Sequence, residues 1–344
     1  MRFTLVSGAA IGTDMQLDHA DIEGSFKVGR NFANKIWNAV RFALGELETG
    51  DLLRSPADTQ LEVADEWILS RFGAAARGIT GDLDRFRLHD AAERTYQFVW
   101  GDFCDWYLEL AKPRLRGDRG VESRDAAAST LAYVLDGWLR LLHPVMPFIT
   151  EELFCHLPGR TAEDTLLSGP WPTGADAETW DDAAIAIGEL QELVGAVRNV
   201  RSEYGIDPGR KIELVLSSVS EPLRRALSEE EPGALSLARL SSLSVESEMP
   251  TGVPGAHVVL RSGTEVFLPL EGVVDLERER ERLTEELARL QGLLASATGK
   301  LANPGFTERA PADVVDRERE KVRSFEQRLE RLLEKQEAFL MRGG

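Results

Sequence analysis

The sequence predicts a mainly α protein: a helical bundle, then a small α+β unit, then a C-terminal antiparallel coiled-coil hairpin. Three observations carry this. Phe32, Ile36, Val40 and Leu44 recur at i, i+4, with Ala33 and Trp37 beside them, which gives one apolar helix face. From Lys211 the pattern changes to short alternating polar and apolar runs, the signature of half-buried strands. From Asp275 the leucines fall into heptads.

The elements follow in order. A first long helix is expected over residues 21–48, a second over 65–79 and a third over 88–111, stopped by Pro113. On the third, Tyr96, Trp100, Phe103 and Tyr107 step by 4, 3 and 4, so they share a face that packs into the bundle. A fourth helix is expected over 123–142 and a short one over 148–156, with His143-Pro144 and Met146-Pro147 between them. Residues 158–177 are rich in Pro and Gly and read as a linker. A helix over 181–204 leads into strands at 211–216 and 242–248. Runs 257–260 and 265–270 flank Arg261-Ser262-Gly263-Thr264, a hairpin signal.

In the last segment Leu276, Leu283, Leu287, Leu290, Leu294 and Leu301 step by 7, 4, 3, 4 and 7. A second series runs from Val315 through Val322, Phe325, Leu329 and Leu332 to Phe339. Asn303-Pro304-Gly305 and Ala310-Pro311 separate the two series, so two heptad helices fold back as an arm about 40 Å long. Its 16 acidic and 14 basic residues from 271 to 344 leave it nearly neutral.

Composition bounds the function. The chain has 344 residues, enough for about two domains. It has 58 acidic against 40 basic residues and a net charge of −18, which argues against non-specific coating of DNA or RNA but leaves room for a local basic patch. Two cysteines, Cys104 and Cys155, make neither a disulfide framework nor a four-ligand zinc site. There is no apolar run of transmembrane length and no secretory signal pattern at the N-terminus, so the expectation is a cytoplasmic protein without a membrane partner.

No catalytic motif emerges. The chain has no phosphate-binding Gly-x-x-x-x-Gly-Lys loop, no dinucleotide fingerprint and no Gly-x-Ser-x-Gly elbow. The five histidines are scattered without an i, i+4 pair, so no catalytic or metal-ligating residue is assigned. The densest basic cluster is Lys112, Arg114, Arg116 and Arg119 at a helix end. It suits either phosphate contacts or a solvated loop that complements the helix dipole. Arg198, Arg201, Arg210 and Lys211 form a sparser second cluster.

Four segments carry a family resemblance. Gly29-Arg30-Asn31-Phe32-Ala33-Asn34-Lys35-Ile36-Trp37-Asn38-Ala39-Val40-Arg41-Phe42 resembles the opening helix of the anticodon-binding bundle of class I aminoacyl-tRNA synthetases. Phe103-Cys104-Asp105-Trp106-Tyr107-Leu108-Glu109, then Leu142-His143-Pro144-Val145-Met146-Pro147-Phe148, then Val197-Arg198-Asn199-Val200-Arg201-Ser202-Glu203-Tyr204 resemble the signature segments that follow, in the same order. Lys300-Leu301-Ala302-Asn303-Pro304-Gly305-Phe306 resembles the turn of a terminal arm carried by the valine branch of that family and not by the isoleucine and leucine branches.

The resemblance implies a division of the chain. Residues 1–20 are a remnant following a catalytic domain, 21–157 the anticodon-binding bundle, 158–177 a linker, 178–270 a small α+β junction and 271–344 a coiled-coil tRNA-binding arm. It implies tRNA, a valine isoacceptor, as partner, with Asn34, Asn38, Arg41, Lys112, Arg114 and Arg116 as bundle contacts and Lys300, Arg309, Arg317 and Lys321 as arm contacts. The family's His-Ile-Gly-His and Lys-Met-Ser-Lys-Ser motifs do not occur in the sequence. The expectation is therefore a C-terminal part of a longer ligase, inactive alone, whose parent reaction uses ATP and Mg. The catalytic half would be its second partner. Two other readings stay open: a coiled-coil adaptor that binds protein, and a standalone tRNA-binding module.

Overall fold

A computed structural model describes residues 1–8, 21–161, 163–174, 178–273, 276–303, 305 and 312–340. The chain is mainly α with a small four-stranded sheet, as the sequence predicts. It divides into two compact units, Met1–Val194 with Ser220–Leu237, and Gly195–Val219 with Ala238–Gly344.

The first unit opens with α1 (Arg2–Gly8) and, after a single capped turn, α2 (Lys27–Glu46). Asp21 accepts from the Gly24 amide at 2.8 Å, and the turn it caps ends at Phe26, which breaks the expected helix in two. Phe32, Ile36 and Val40 are fully buried, as their spacing requires, and Ala43 rather than Leu44 completes the stripe. Phe3 packs its ring 4.9 Å from that of Phe32. Gly29 permits this approach, because a Cβ there would fall 2.4 Å from Thr4 Oγ1.

Next comes α3 (Val63–Asp84), started by a capping box in which the Glu62 amide donates to Asp65 Oδ2 at 3.1 Å. Then α4 (Leu88–Tyr96) runs without a break through a π-helical stretch, Gln97–Tyr107, into α5 (Leu108–Leu115). The π stretch shifts the buried face. Phe98 and Phe103, and Val99 and Cys104, are buried at steps of five, while Tyr96 and Trp100 are only half-buried and stack on each other at 5.4 Å.

Pro113 does not stop this helix; it sits inside α5, which continues to Leu115. A proline in the last turn removes one backbone hydrogen bond only, and the burial of Leu110 and Leu115 holds the turn closed. The chain reverses at Gly117, whose φ of +84° ends the helix.

Two further helices, α6 (Val121–Leu142) and α7 (Pro147–Cys155), follow. Trp138 on α6 is fully buried, 5.7 Å from the Phe103 ring. Pro147 occupies the first turn of α7, where its missing N–H costs nothing.

After α8 (Asp181–Glu203) and β1 (Ile212–Ser217) comes α9 (Glu221–Ala238), a helix the spacing of apolar residues does not announce. Glu221–Leu237 belongs to the first unit. Arg225 pairs with Glu66 at 2.7 Å, and the Glu229 carboxylate accepts from the Val63 amide at 2.6 Å. The helix kinks at Glu230 (φ −123°, ψ 18°), two residues before Pro232.

In the second unit, β1, β2 (Leu240–Val245), β3 (Gly255–Val259) and β4 (Glu265–Pro269) form a sheet of order β2-β1-β4-β3. β1 pairs parallel with β2 and antiparallel with β4. Ile212, Leu214 and Leu216 alternate inward, as predicted. The β3–β4 hairpin closes over residues 260–264 with Gly263 at φ +87°.

Two long helices end the chain, α10 (Leu276–Ala302) and α11 (Ala312–Leu340), which pack against each other. Leu287, Leu290 and Ala297 are buried along α10, with Val315 and Glu318 along α11. Residues 9–20 and 306–311, with most of the expected N-terminal remnant and Arg309, lie outside the described residues.

Candidate nucleic-acid interface

The bundle candidates on α2 share one exposed face. Asn34, Asn38 and Arg41 step by 4 and 3, away from the buried Phe32/Ile36/Val40 stripe. None of the three has a hydrogen-bond or ion-pair partner among the described residues. Their amides and guanidinium are thus free to donate and accept outward. Two cations flank the face. Lys35 lies 4.0 Å from the Trp100 ring centroid and pairs with Asp105. Lys112 pairs with Glu109 at 2.5 Å and sits 5.3 Å from the centroid of the Phe42 ring. Arg116 is exposed.

Arg114 requires a correction. Only 1% of its side chain is exposed. Its Nη2 donates to Asp65 Oδ2 at 2.6 Å and to the Ser123 carbonyl at 3.2 Å, and its Nε donates to Ser123 Oγ at 3.0 Å. Glu62 and Glu230 carboxylates stand 3.4 and 3.6 Å from the guanidinium. Burial opposes its charge, but Asp65 and Glu230 outweigh that and hold its pKa above the ordinary arginine value. The Tyr107 hydroxyl donates to Asp65 Oδ1 at 3.0 Å and completes the cluster. Arg114 ties α5 to the starts of α3 and α6 and to the kink of α9, so its charge is used inside the bundle.

Arg119 and Arg201 are also committed internally. Arg119 donates to the carbonyls of Ser228 (3.1 Å) and Glu229 on α9. Arg201 is buried and donates to the carbonyls of Asp207 at 2.9 Å and Arg210 at 2.7 Å. In sequence these arginines look like Arg116. Nothing in the local residue pattern separates them, because their partners come from distant segments.

On the terminal helices, Lys300 and Lys321 bracket one carboxylate, Glu318, at 3.6 and 3.0 Å. The Lys321 hydrogen bond and Lys300 hold the Glu318 carboxyl below its ordinary value. Both lysines are about three-fifths exposed and keep donors for an outside group. Arg317 is exposed. Burial pushes the Cys104 thiol up to about 12, which makes it a packing residue rather than a nucleophile. Among the described residues no cluster of His, Cys, Asp and Glu is placed to hold a metal, and no helix is long and apolar enough to cross a membrane.

Two family models match the chain. Residues 65–216 match the anticodon-binding domain of tRNA ligases, and residues 275–338 match the tRNA-binding arm of valyl-tRNA synthetases. Both models describe tRNA-binding domains of aminoacyl-tRNA synthetases, and α2 lies outside the residues they match. A valine–tRNA ligase of Carboxydothermus hydrogenoformans is 39% identical over 327 residues, 94% of this chain and 36% of that protein. A second, from Geobacter sulfurreducens, is 40% identical over 335 residues, 96% of this chain and 37% of that protein. The chain belongs to the valine–tRNA ligase family and spans a little over a third of the length of these relatives, in their C-terminal part.

Proposed function

We propose that this chain binds a valine tRNA as the C-terminal portion of a valine–tRNA ligase. The bundle holds the anticodon stem-loop, and the two terminal helices, as a coiled-coil hairpin, rest on the tRNA backbone. The observation that carries this reading is the succession of an anticodon-binding match and a tRNA-arm match along one chain. The division of the chain proposed with it is the one set out from the sequence, although the anticodon-binding match, residues 65–216, runs across its linker.

The chemistry assigns the roles. Unpaired anticodon bases are read on their edges by amides and guanidinium groups, which is what Asn34, Asn38 and Arg41 offer from a rigid helix. Lys112 and Arg116 neutralise phosphates near the stem, and Lys300, Arg309, Arg317 and Lys321 do so at the arm. The parent reaction attaches valine to tRNA with ATP and Mg, in the cytoplasm. That step belongs to the remainder of the synthetase, the chain's second partner. A filter-binding titration against valine tRNA and a non-cognate tRNA at two salt concentrations tests the reading. Selective, salt-sensitive binding is expected; equal affinity for both, insensitive to salt, contradicts it.

A further inference from the structure

A cleft of about 460 Å³ opens in the first unit, within the size range of small-ligand sites. It shares no residue with the α2 face. Its walls are aromatic: Tyr133, about half exposed, and Trp171, whose indole N–H is pinned by donation to Thr80 Oγ1 at 2.9 Å. The Phe72 ring supports Tyr133 edge-on at 5.8 Å and reaches it because Gly137 has no side chain; a Cβ there would fall 2.2 Å from Phe72 Cζ.

The polar end is cationic. Arg140 and Arg160 both bind the single carboxylate of Asp136, at 2.8 and 2.6 Å, and both lie against the face of Phe154. Two guanidinium groups sharing one carboxylate leave one positive charge over, in a chain whose net charge is −18. Arg54 stands at the rim, paired with Asp125. Arg140 Nη1 and Arg160 Nε have no hydrogen-bond partner among the described residues. The two rings offer a stacking surface, and the excess charge equals that of one phosphodiester.

We propose that this cleft binds one nucleotide, with its phosphate against Arg140 and Arg160 and its base against Tyr133 and Trp171. The nucleotide is either a free mononucleotide or an unpaired residue of an RNA strand. Isothermal titration of the full chain separates the two, with adenosine monophosphate, a single-stranded adenosine tetranucleotide lacking a terminal phosphate, and inorganic phosphate as probes.

At least one of the first two binds saturably. Tyr133→Ala and Arg160→Gln each weaken that binding about tenfold, while Tyr133→Phe, which keeps the ring, stays within about threefold. A response to the mononucleotide alone identifies a free ligand, and a response to the tetranucleotide alone identifies RNA. No saturable binding of either probe, or binding unmoved by both Tyr133→Ala and Arg160→Gln, overturns the proposal. So does inorganic phosphate binding as tightly as the nucleotides, because the rings would then contribute nothing. Circular dichroism verifies folding, and the Tyr133 pair decides the matter if Arg160→Gln does not fold. Loss of tRNA binding in α2 variants bears on the proposed function and not on this cleft.

Discussion

Arg114 and Arg116 are two residues apart, yet one is enclosed by carboxylates and the other faces solvent. Arg114→Ala would leave Asp65, Glu62 and Glu230 without their shared cation. We expect a loss of about 3–5 kcal/mol in urea unfolding, against less than about 0.5 kcal/mol for Arg116→Ala. Glu230 supplies a second test. Burial, then repulsion from Asp65 and Glu62, holds its carboxyl well above the ordinary glutamate value, with Arg114 opposing. An acid raised on folding stabilises the fold below its unfolded value and loses that contribution as pH rises through its folded value. Glu230→Gln, which cannot ionise, should therefore flatten the loss of stability above about pH 5, as read from urea midpoints across pH 5 to 8. A slope equal to that of the parent chain would show that Glu230 is not the titrating group. The sequence exposes the α2 face through simple periodicity, but the Arg114 cluster draws on residues 62, 65, 107, 123 and 230. No local pattern holds that information.

At the scale of elements, the helices that follow one period are readable and those that change period are not. The α2 stripe and the alternation in β1 fit their templates. Through the π stretch the buried residues step by five, so a 3.6-residue template misplaces Tyr96 and Trp100. In α9, Pro232 has no N–H for the Ser228 carbonyl four residues back, and Arg119 donates to that carbonyl instead. The kink survives because a residue more than a hundred positions away satisfies it, which is why α9 is silent in sequence.

The terminal helices show a subtler gap. The heptad reading steps over positions 297 and 318, and the structure fills them with Ala297 and Glu318, both buried. A charged residue in an apolar seam fixes register at a cost in stability. Glu318→Leu should raise the thermal midpoint of helix loss, followed by circular dichroism at 222 nm. A lowered midpoint would mean that the Lys300–Glu318–Lys321 group is a net stabiliser.

For the whole molecule, the family was legible because the motif on α2 and those after it arrive in a fixed order, and because the terminal heptads are long. The strongly acidic composition pointed away from nucleic acid. Of the candidate cations, Arg41, Arg116, Lys300 and Lys321 are exposed, Arg114 and Arg201 are buried, and Arg119 is held by carbonyls of α9. Each phosphate contact proposed for the bundle and the terminal helices should add to the salt dependence of tRNA binding, which should fall by about one unit of slope for each contact removed. The most direct test is filter binding of valine tRNA to the chain, to Asn38→Ala/Arg41→Ala and to Arg116→Ala, each at two salt concentrations. The account predicts that the α2 variant loses its preference for valine tRNA over a non-cognate tRNA, at a cost of about 1–3 kcal/mol, while Arg116→Ala weakens both tRNAs alike and reduces the salt slope. Undiminished preference in the α2 variant would contradict it.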